Sequence, residues 1–224
     1  RKGLGTIAAK APDFYGKNFI HRGSTDLVDR FIGNANQFTP AQITDLVTFD
    51  LTHPLQPQDI TGPFYARTIG QDDATRMQQL DINLWMVGDI LLKADKMSMA
   101  NSIEVRVPFL DKEVMKVAAK VPTKYRMDGT QTKKVFRAAA RSVLPREYYE
   151  RPKLGFPVPI RVWLKDPVYT TRVREAFSSE AAKTYFRTPV LTKLIDDHVA
   201  GVSDNSRLIW TVYMFLVWHD RYFA

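Results

Sequence analysis

Asp89, Lys93, Asp95, Lys96, Glu104 and Arg106 are the first candidates for chemistry, because of where they sit. Met77, Leu80, Leu84, Val87, Leu91 and Ala94 recur at alternating steps of three and four, a helical stripe. Ile82, Trp85, Met86, Ile90 and Leu92 fill much of the remaining surface. A helix apolar nearly all round is expected inside a domain, and charges near a core are costly unless paired or used. Asp89, Lys93 and Lys96 share one face, with Asp89 and Lys93 an i,i+4 pair. Asp95 lies about 40° round from Leu91, at the edge of the stripe. Glu104 and Arg106 are two apart on a stretch that alternates with Ile103, Val105 and Val107, so they point to one side. They either face a substrate or form a buried ion pair with the central helix. Lys133 opens a helix, where its charge opposes the dipole and calls for another reason to be there. Lys153 stands in a loop stiffened by Pro152, Pro157 and Pro159. On periodicity and cost alone, this is a buried polar cluster with no reaction attached.

The elements that must position these residues read as helices. Gly3 to Lys10 is a short helix stopped at Ala11-Pro12-Asp13, and 14–22 is loop. Ser24 caps a helix through Phe31, with Asp26 in its first turn. Thr39-Pro40 opens another that ends near Thr48. Residues 50–62 read as a connector, and Pro63 opens a turn through Ile69. Asp72 or Asp73 caps the long central helix. Gly88 ends its first half and Asp89 caps the second, a break whose amides would suit an anion. Asn101 to Leu110 is extended, since Pro108 disfavours helix before it. Asp111 caps a helix through Ala119, Asp128-Gly129 centres a turn over 125–130, and Thr132 opens a helix through Val143. After the 151–159 loop, 161–165, 168–177 and 189–200 are helical, with Ser178 to Thr188 a polar link. Residues 206–222 close the chain in a nearly all-apolar helix. Strand content is expected close to nil.

The 224 residues are enough for one domain with a real core, and the expectation is a single helical domain over 1–224. Hydrophobic content of 45% and charged content of 25% are ordinary for a globular protein. No run approaches the roughly 18 apolar residues of a membrane helix. The start has no signal-peptide pattern and no initiator Met, which reads as a piece of a longer chain. Cysteine is absent, so no disulfide, thiolate metal site or cysteine nucleophile is possible, and this fits a cytoplasmic setting. His21, His53, His198 and His219 are scattered without metal-site spacing, and no metal is expected on this chain. Trp85, Trp163, Trp210 and Trp218 read as packing. The net charge of +8 raises nucleic acid as a partner. Basic residues are spread along the chain and no nucleic-acid motif occurs, so that reading is set aside.

Lys93-Ala-Asp95-Lys96-Met97-Ser98-Met99-Ala100, followed by Glu104-Val-Arg106-Val-Pro108-Phe109-Leu110-Asp111, resembles the C-terminal synthetase domain of glutamine-hydrolysing asparagine synthetases. Thr132-Lys133-Lys134-Val135-Phe136-Arg137 and the run from Arg151 to Pro159 strengthen the likeness, which extends from about Arg30 to the C-terminus. The family adenylates aspartate with ATP and then transfers glutamine-derived ammonia to the activated carboxylate. The resemblance implies a mainly α chain, the helical C-terminal portion of an α/β adenine-nucleotide α-hydrolase-like (ATP pyrophosphatase) domain. It implies pyrophosphate binding by Lys153, whose fixed ammonium would stabilise charge as pyrophosphate leaves, and a second phosphate or carboxylate contact by Lys133. In related β-lactam-forming synthetases a helix acid accepts the amine proton, and Asp89 lies near its counterpart, with Asp95 the alternative.

Family features absent from these residues matter as much. The N-terminal cysteine of the glutaminase domain, the serine-glycine-glycine phosphate loop and the glycine-glutamate-glycine segment do not occur. ATP and Mg are therefore expected of a longer parent, with no tight binding by this chain alone. That parent would also bring a glutaminase domain and possible homo-oligomers, and truncated apolar surfaces would be exposed. Two alternatives stay open: a β-lactam-forming or other amidotransferase of the same family, and a stand-alone helical module that binds an anionic partner.

Overall fold

The computed structural model describes residues 23–33, 37–51, 55–151 and 158–223. In chain order the helices are α1 (Leu27–Arg30), α2 (Pro40–Leu46), α3 (Pro57–Ala66) and α4 (Asp73–Leu80), then a π-helix (Asp81–Leu91) and α5 (Leu92–Met99). A 3-10 turn (Pro108–Leu110) precedes α6 (Lys112–Lys120), α7 (Thr123–Arg126), α8 (Lys134–Ala140) and α9 (Arg146–Tyr149). The last five are α10 (Ile160–Trp163), α11 (Pro167–Phe177), α12 (Glu180–Tyr185), α13 (Thr188–Val199) and α14 (Ser206–Phe223). The fold is mainly α. Among the described residues there are isolated bridges at Val47–Phe186 and Met127–Thr132 but no strand.

The described residues fall into two compact units, one of 23–33 with 56–151 and the other of 37–51 with 55 and 158–223. The second has the larger core. Leu46 of α2, Val173 and Phe177 of α11, Leu191 and Ile195 of α13, and Ile209, Val212 and Leu216 of α14 pack together. Local chemistry sets the ends of these helices. The Thr39 side chain accepts from the Gln42 amide and Gln42 answers on the Thr39 amide, a reciprocal cap ahead of Pro40. Asp166 caps α11 before Pro167. Gly201 follows α13 at φ +76°, a conformation glycine takes without a Cβ clash. Residues 178–188, expected as a link, contain α12, because Ser179 caps it on the Ala182 amide and Ala182 is fully buried.

The first unit has a small core of Leu27, Tyr65 and Leu80, with Phe31, Met77 and Leu84 packed around it. Tyr65 donates its hydroxyl to the Phe31 carbonyl at 2.6 Å, and burial raises its pKa. Asp26, not Ser24, is the residue that precedes α1. Residues 57–66 form α3 rather than a connector, since Pro57 sits at the first helical position after a Gln56–Asp59 cap, and Pro63 lies inside that helix.

The central stretch departs from its sequence reading in two ways. It does not break at Gly88. Helix runs unbroken from Asp73 to Met99, with eleven residues, Asp81–Leu91, in the wider i→i+5 pattern. It is also not interior: Leu80 is buried, whereas Trp85, Val87, Leu92, Met97 and Met99 are exposed. The π pattern rotates side chains off the faces that a 3.6 period assigns. Leu84 meets the small core, but Val87 does not.

Candidate functional site

Asp89 lies in the π-helix and does not cap a helix half. Its carboxylate accepts from the Trp85 indole N–H at 3.0 Å and pairs with Lys93 Nζ at 3.4 Å. The i,i+4 pair read from the sequence is present, and it is half exposed. The Trp85 indole thus holds the same carboxylate, beyond the packing role expected from sequence. Asp95 is exposed on α5, and its carboxylate has no partner among the described residues.

Three residues beyond the end of α5, Ser102 is in left-handed backbone, at φ +56°. The Ser102 and Ile103 amides return to the Met99 and Ser98 carbonyls, which satisfies two of the orphan acceptors at the helix end. The extended stretch 103–107 follows. Glu104 and Arg106 pair with each other there, both on the surface. The expected buried pair with the central helix is therefore not formed: the segment has none of the described chain across it to exclude water.

Lys133 immediately precedes α8 and is itself in left-handed backbone, at φ +56° and ψ +34°. A lysine gains nothing from that conformation by its own chemistry. The turn before it explains the geometry. Asp128 accepts from the amides of Thr130 and Gln131, from the Thr130 hydroxyl, and from Lys134 Nζ at 2.9 Å. The Thr130 hydroxyl, then Lys134, hold its carboxyl far below the ordinary carboxylate range. Lys134 is thereby engaged, while the exposed Lys133 ammonium has no partner among the described residues.

Two motif stretches meet in this unit. Phe109 of the Val-Pro-Phe-Leu run and Phe136 of α8 pack edge to face, with ring centroids 5.0 Å apart. The contact links the chain after Arg106 to the helix that Lys133 opens. Arg137 of α8 donates to the Tyr149 carbonyl at 2.8 Å and reaches the Arg151 carbonyl at 3.5 Å. It therefore grips the backbone where the proline-rich loop begins. Lys153, the first candidate for pyrophosphate, lies outside the described residues.

His198 went unrecognised as a structural residue. It is fully buried in the second unit. Its Nε2 lies 3.0 Å from the Arg161 carbonyl and its Nδ1 lies 3.3 Å from the Asn205 amide. A carbonyl only accepts and an amide only donates, so both contacts are satisfied by the neutral ring with the proton on Nε2. The signal was there: Leu191, Leu194 and Ile195 precede His198 on one helical stripe. No group of three or more His, Asp or Glu side chains among the described residues is placed to hold a metal ion. No helix among them is long and apolar enough to cross a membrane.

Comparison with known proteins gives these stretches a common origin. The asparagine synthase family matches residues 17–220. Asparagine synthetase (glutamine-hydrolyzing) 1 of Bacillus subtilis (strain 168) is 42% identical over 221 residues, 98% of this chain and 35% of that protein. A Mycobacterium tuberculosis (strain ATCC 25618 / H37Rv) protein named "Putative asparagine synthetase (glutamine-hydrolyzing)" is 40% identical over 223 residues, 98% of this chain and 34% of its own length. The chain thus spans about a third of the curated relatives it matches. No solved structure matches it. The matched residues include the central helix, the Glu104–Leu110 run, α8, the proline-rich loop and most of α14, and so the chain belongs to the asparagine synthase family.

Proposed function

We propose that this chain is the helical part of an ATP-dependent ligase that makes asparagine. A longer parent would activate the side-chain carboxylate of aspartate as a β-aspartyl-adenylate, release pyrophosphate, and transfer ammonia drawn from glutamine by a separate N-terminal domain. The observation that carries the reading is the family match over 17–220, which includes every candidate residue. In this reading Lys153 is the pyrophosphate contact, and Lys133, whose ammonium has no partner among the described residues, is a second cation for a phosphate or carboxylate. Asp89 takes the amine proton, or Asp95 does. Asp89 already accepts from Trp85 and Lys93, whereas the Asp95 carboxylate has no partner among the described residues. Glu104 and Arg106 stand as an exposed pair available to substrate.

ATP supplies the adenylyl group in this chemistry, and Mg accompanies it in the parent. The described residues hold no cluster that fits Mg, so no step is assigned through the metal. This chain carries no serine-glycine-glycine phosphate loop, and alone it is expected to make no asparagine. A cytoplasmic setting fits its lack of cysteine.

The test is product formation by a longer chain that contains this one, given aspartate, ATP and ammonium. Asparagine, AMP and pyrophosphate in equal amounts are expected. ADP and phosphate instead, or no dependence on aspartate, would overturn the reading.

A further inference from the structure

The second unit contains a cleft of about 450 Å³ between the start of α10 and the first turns of α14. Val158, Ile160, Arg161, Asp204, Arg207 and Trp210 shape it. Neither the Arg161 nor the Arg207 guanidinium has a hydrogen-bond or ion-pair partner among the described residues; only their backbone carbonyls are engaged. Two guanidiniums without an ion-pair contact thus line one cleft, with Asp204 near Arg161. Elsewhere in this unit Arg174 and Lys193 each take an Asp of α13.

Asp204 is the carboxylate among the lining residues: Ser206 and, more weakly, the nearby Arg161 hold its pKa down, Arg161 without an ion-pair contact, and its hydrogen bonds stay local. Asp204 accepts from the Ser206 amide at 3.2 Å and from the Ser206 hydroxyl at 2.7 Å, at the start of α14. The walls beside the two cations are apolar: Val158, Ile160 and the half-exposed Trp210. The floor is fixed. Buried His198 holds the Arg161 carbonyl, and Ile209 beside Trp210 is in the core. Both arginines therefore project from backbone that does not have to be ordered on binding.

We propose that this cleft binds a phosphate monoester with a flat apolar body, the phosphate on Arg161 and Arg207 and the ring against Trp210. A planar guanidinium fork matches phosphate oxygens in pairs, and two forks suit a dianion better than a single carboxylate would. The indole offers the ring a flat apolar face. The proposal is argued from Arg161, Arg207 and Trp210 and does not use the synthetase reading, although Val158 belongs to the proline-rich loop that carries Lys153.

The experiment is calorimetric titration of the purified chain with phenyl phosphate, beside inorganic phosphate and phenol. Phenyl phosphate is expected to bind saturably and more tightly than either. The R161Q/R207Q variant should weaken it at least about tenfold. Both substitutions are at the surface and keep the carbonyl that His198 uses, and circular dichroism confirms the fold. Trp210→Ala should bring phenyl phosphate down to the level of inorganic phosphate. The absence of saturable binding, or binding undiminished in R161Q/R207Q, would overturn the proposal. So would inorganic phosphate binding as tightly as phenyl phosphate.

Discussion

Ser102 and Lys133 are the non-glycine residues with positive φ among those described, and each stands beside a family motif. Left-handed backbone costs an L-residue about 1–2 kcal/mol, while glycine takes it freely and gives back part of the difference in unfolded-state entropy. Ser102→Gly should therefore stabilise the chain by about 0.5–1 kcal/mol, read as a higher urea midpoint at unchanged slope. Lys133→Gly should likewise leave stability no lower. In a longer parent, however, it should cut aspartate-dependent pyrophosphate release at least about tenfold, because the ammonium is gone. Full release by that variant would make Lys133 a surface lysine. Replacing buried His198 by Ala empties its site and removes the partner of a part-buried carbonyl and a part-buried amide, and should cost about 2–4 kcal/mol in chemical denaturation. At this scale the Asp89–Lys93 pair was legible from spacing alone. The backbone of Lys133 was not, because the Asp128 turn imposes it and the residue type does not.

Among elements, the caps were the most legible feature. Thr39-Pro40, Asp72 and Asp111 mark helix starts in sequence and in structure. Asp72 does more than cap. It accepts from the Thr75 amide and hydroxyl and from the Thr123 hydroxyl, and Arg126 of α7 approaches within 3.7 Å. Arg126 in turn donates to Thr75, Gln78 and Thr123, which ties α7 to the first turns of α4. The Thr75 hydroxyl bond is the largest cause of an Asp72 pKa lowered from 3.8 to about 2. The sign follows directly: the folded carboxyl releases its proton more readily than the unfolded one. Its contribution is complete above pH 3.8 and is lost as pH falls to about 2. Denaturation midpoints over that range should fall more steeply in the native chain than in Asp72→Asn; parallel slopes would remove Asp72 from the linkage. The misread elements share a cause. The π-helix, α3 and α12 each depend on packing or hydrogen-bond geometry that a 3.6-residue period does not encode.

On the scale of the whole molecule, the two units differ in how well their apolar residues are covered. The second buries Leu191, Ile195, Ile209 and Val212 almost completely. The first leaves Met97, Ile103, Val105, Phe109 and Val117 more than half exposed. Exposure on this scale marks a surface made for contact. The chain should therefore bind a hydrophobic dye in its native state, and the signal should fall in Val117→Glu; a dark native state would contradict the observed exposure. Basic residues occur along the whole chain, but one stretch carries a marked excess over acids. Residues 111–151 hold eleven Lys and Arg against five Asp and Glu, in the stretch that carries Lys133 and leads to Lys153. A mainly helical class and the family were readable from motif order. The uncovered face of the first unit was anticipated only through the resemblance, since periodicity alone placed the central helix inside.

The most direct test uses a longer parent with Lys153→Ala, supplied with ammonia so that glutamine hydrolysis is bypassed. Aspartate-dependent pyrophosphate release from ATP is followed, with glutaminase activity and circular dichroism as controls. Release that collapses while both controls hold is the expected result, and it places Lys153 in the adenylation step. Release at the unaltered rate would contradict the role given to Lys153 and leave this chain without its proposed pyrophosphate contact.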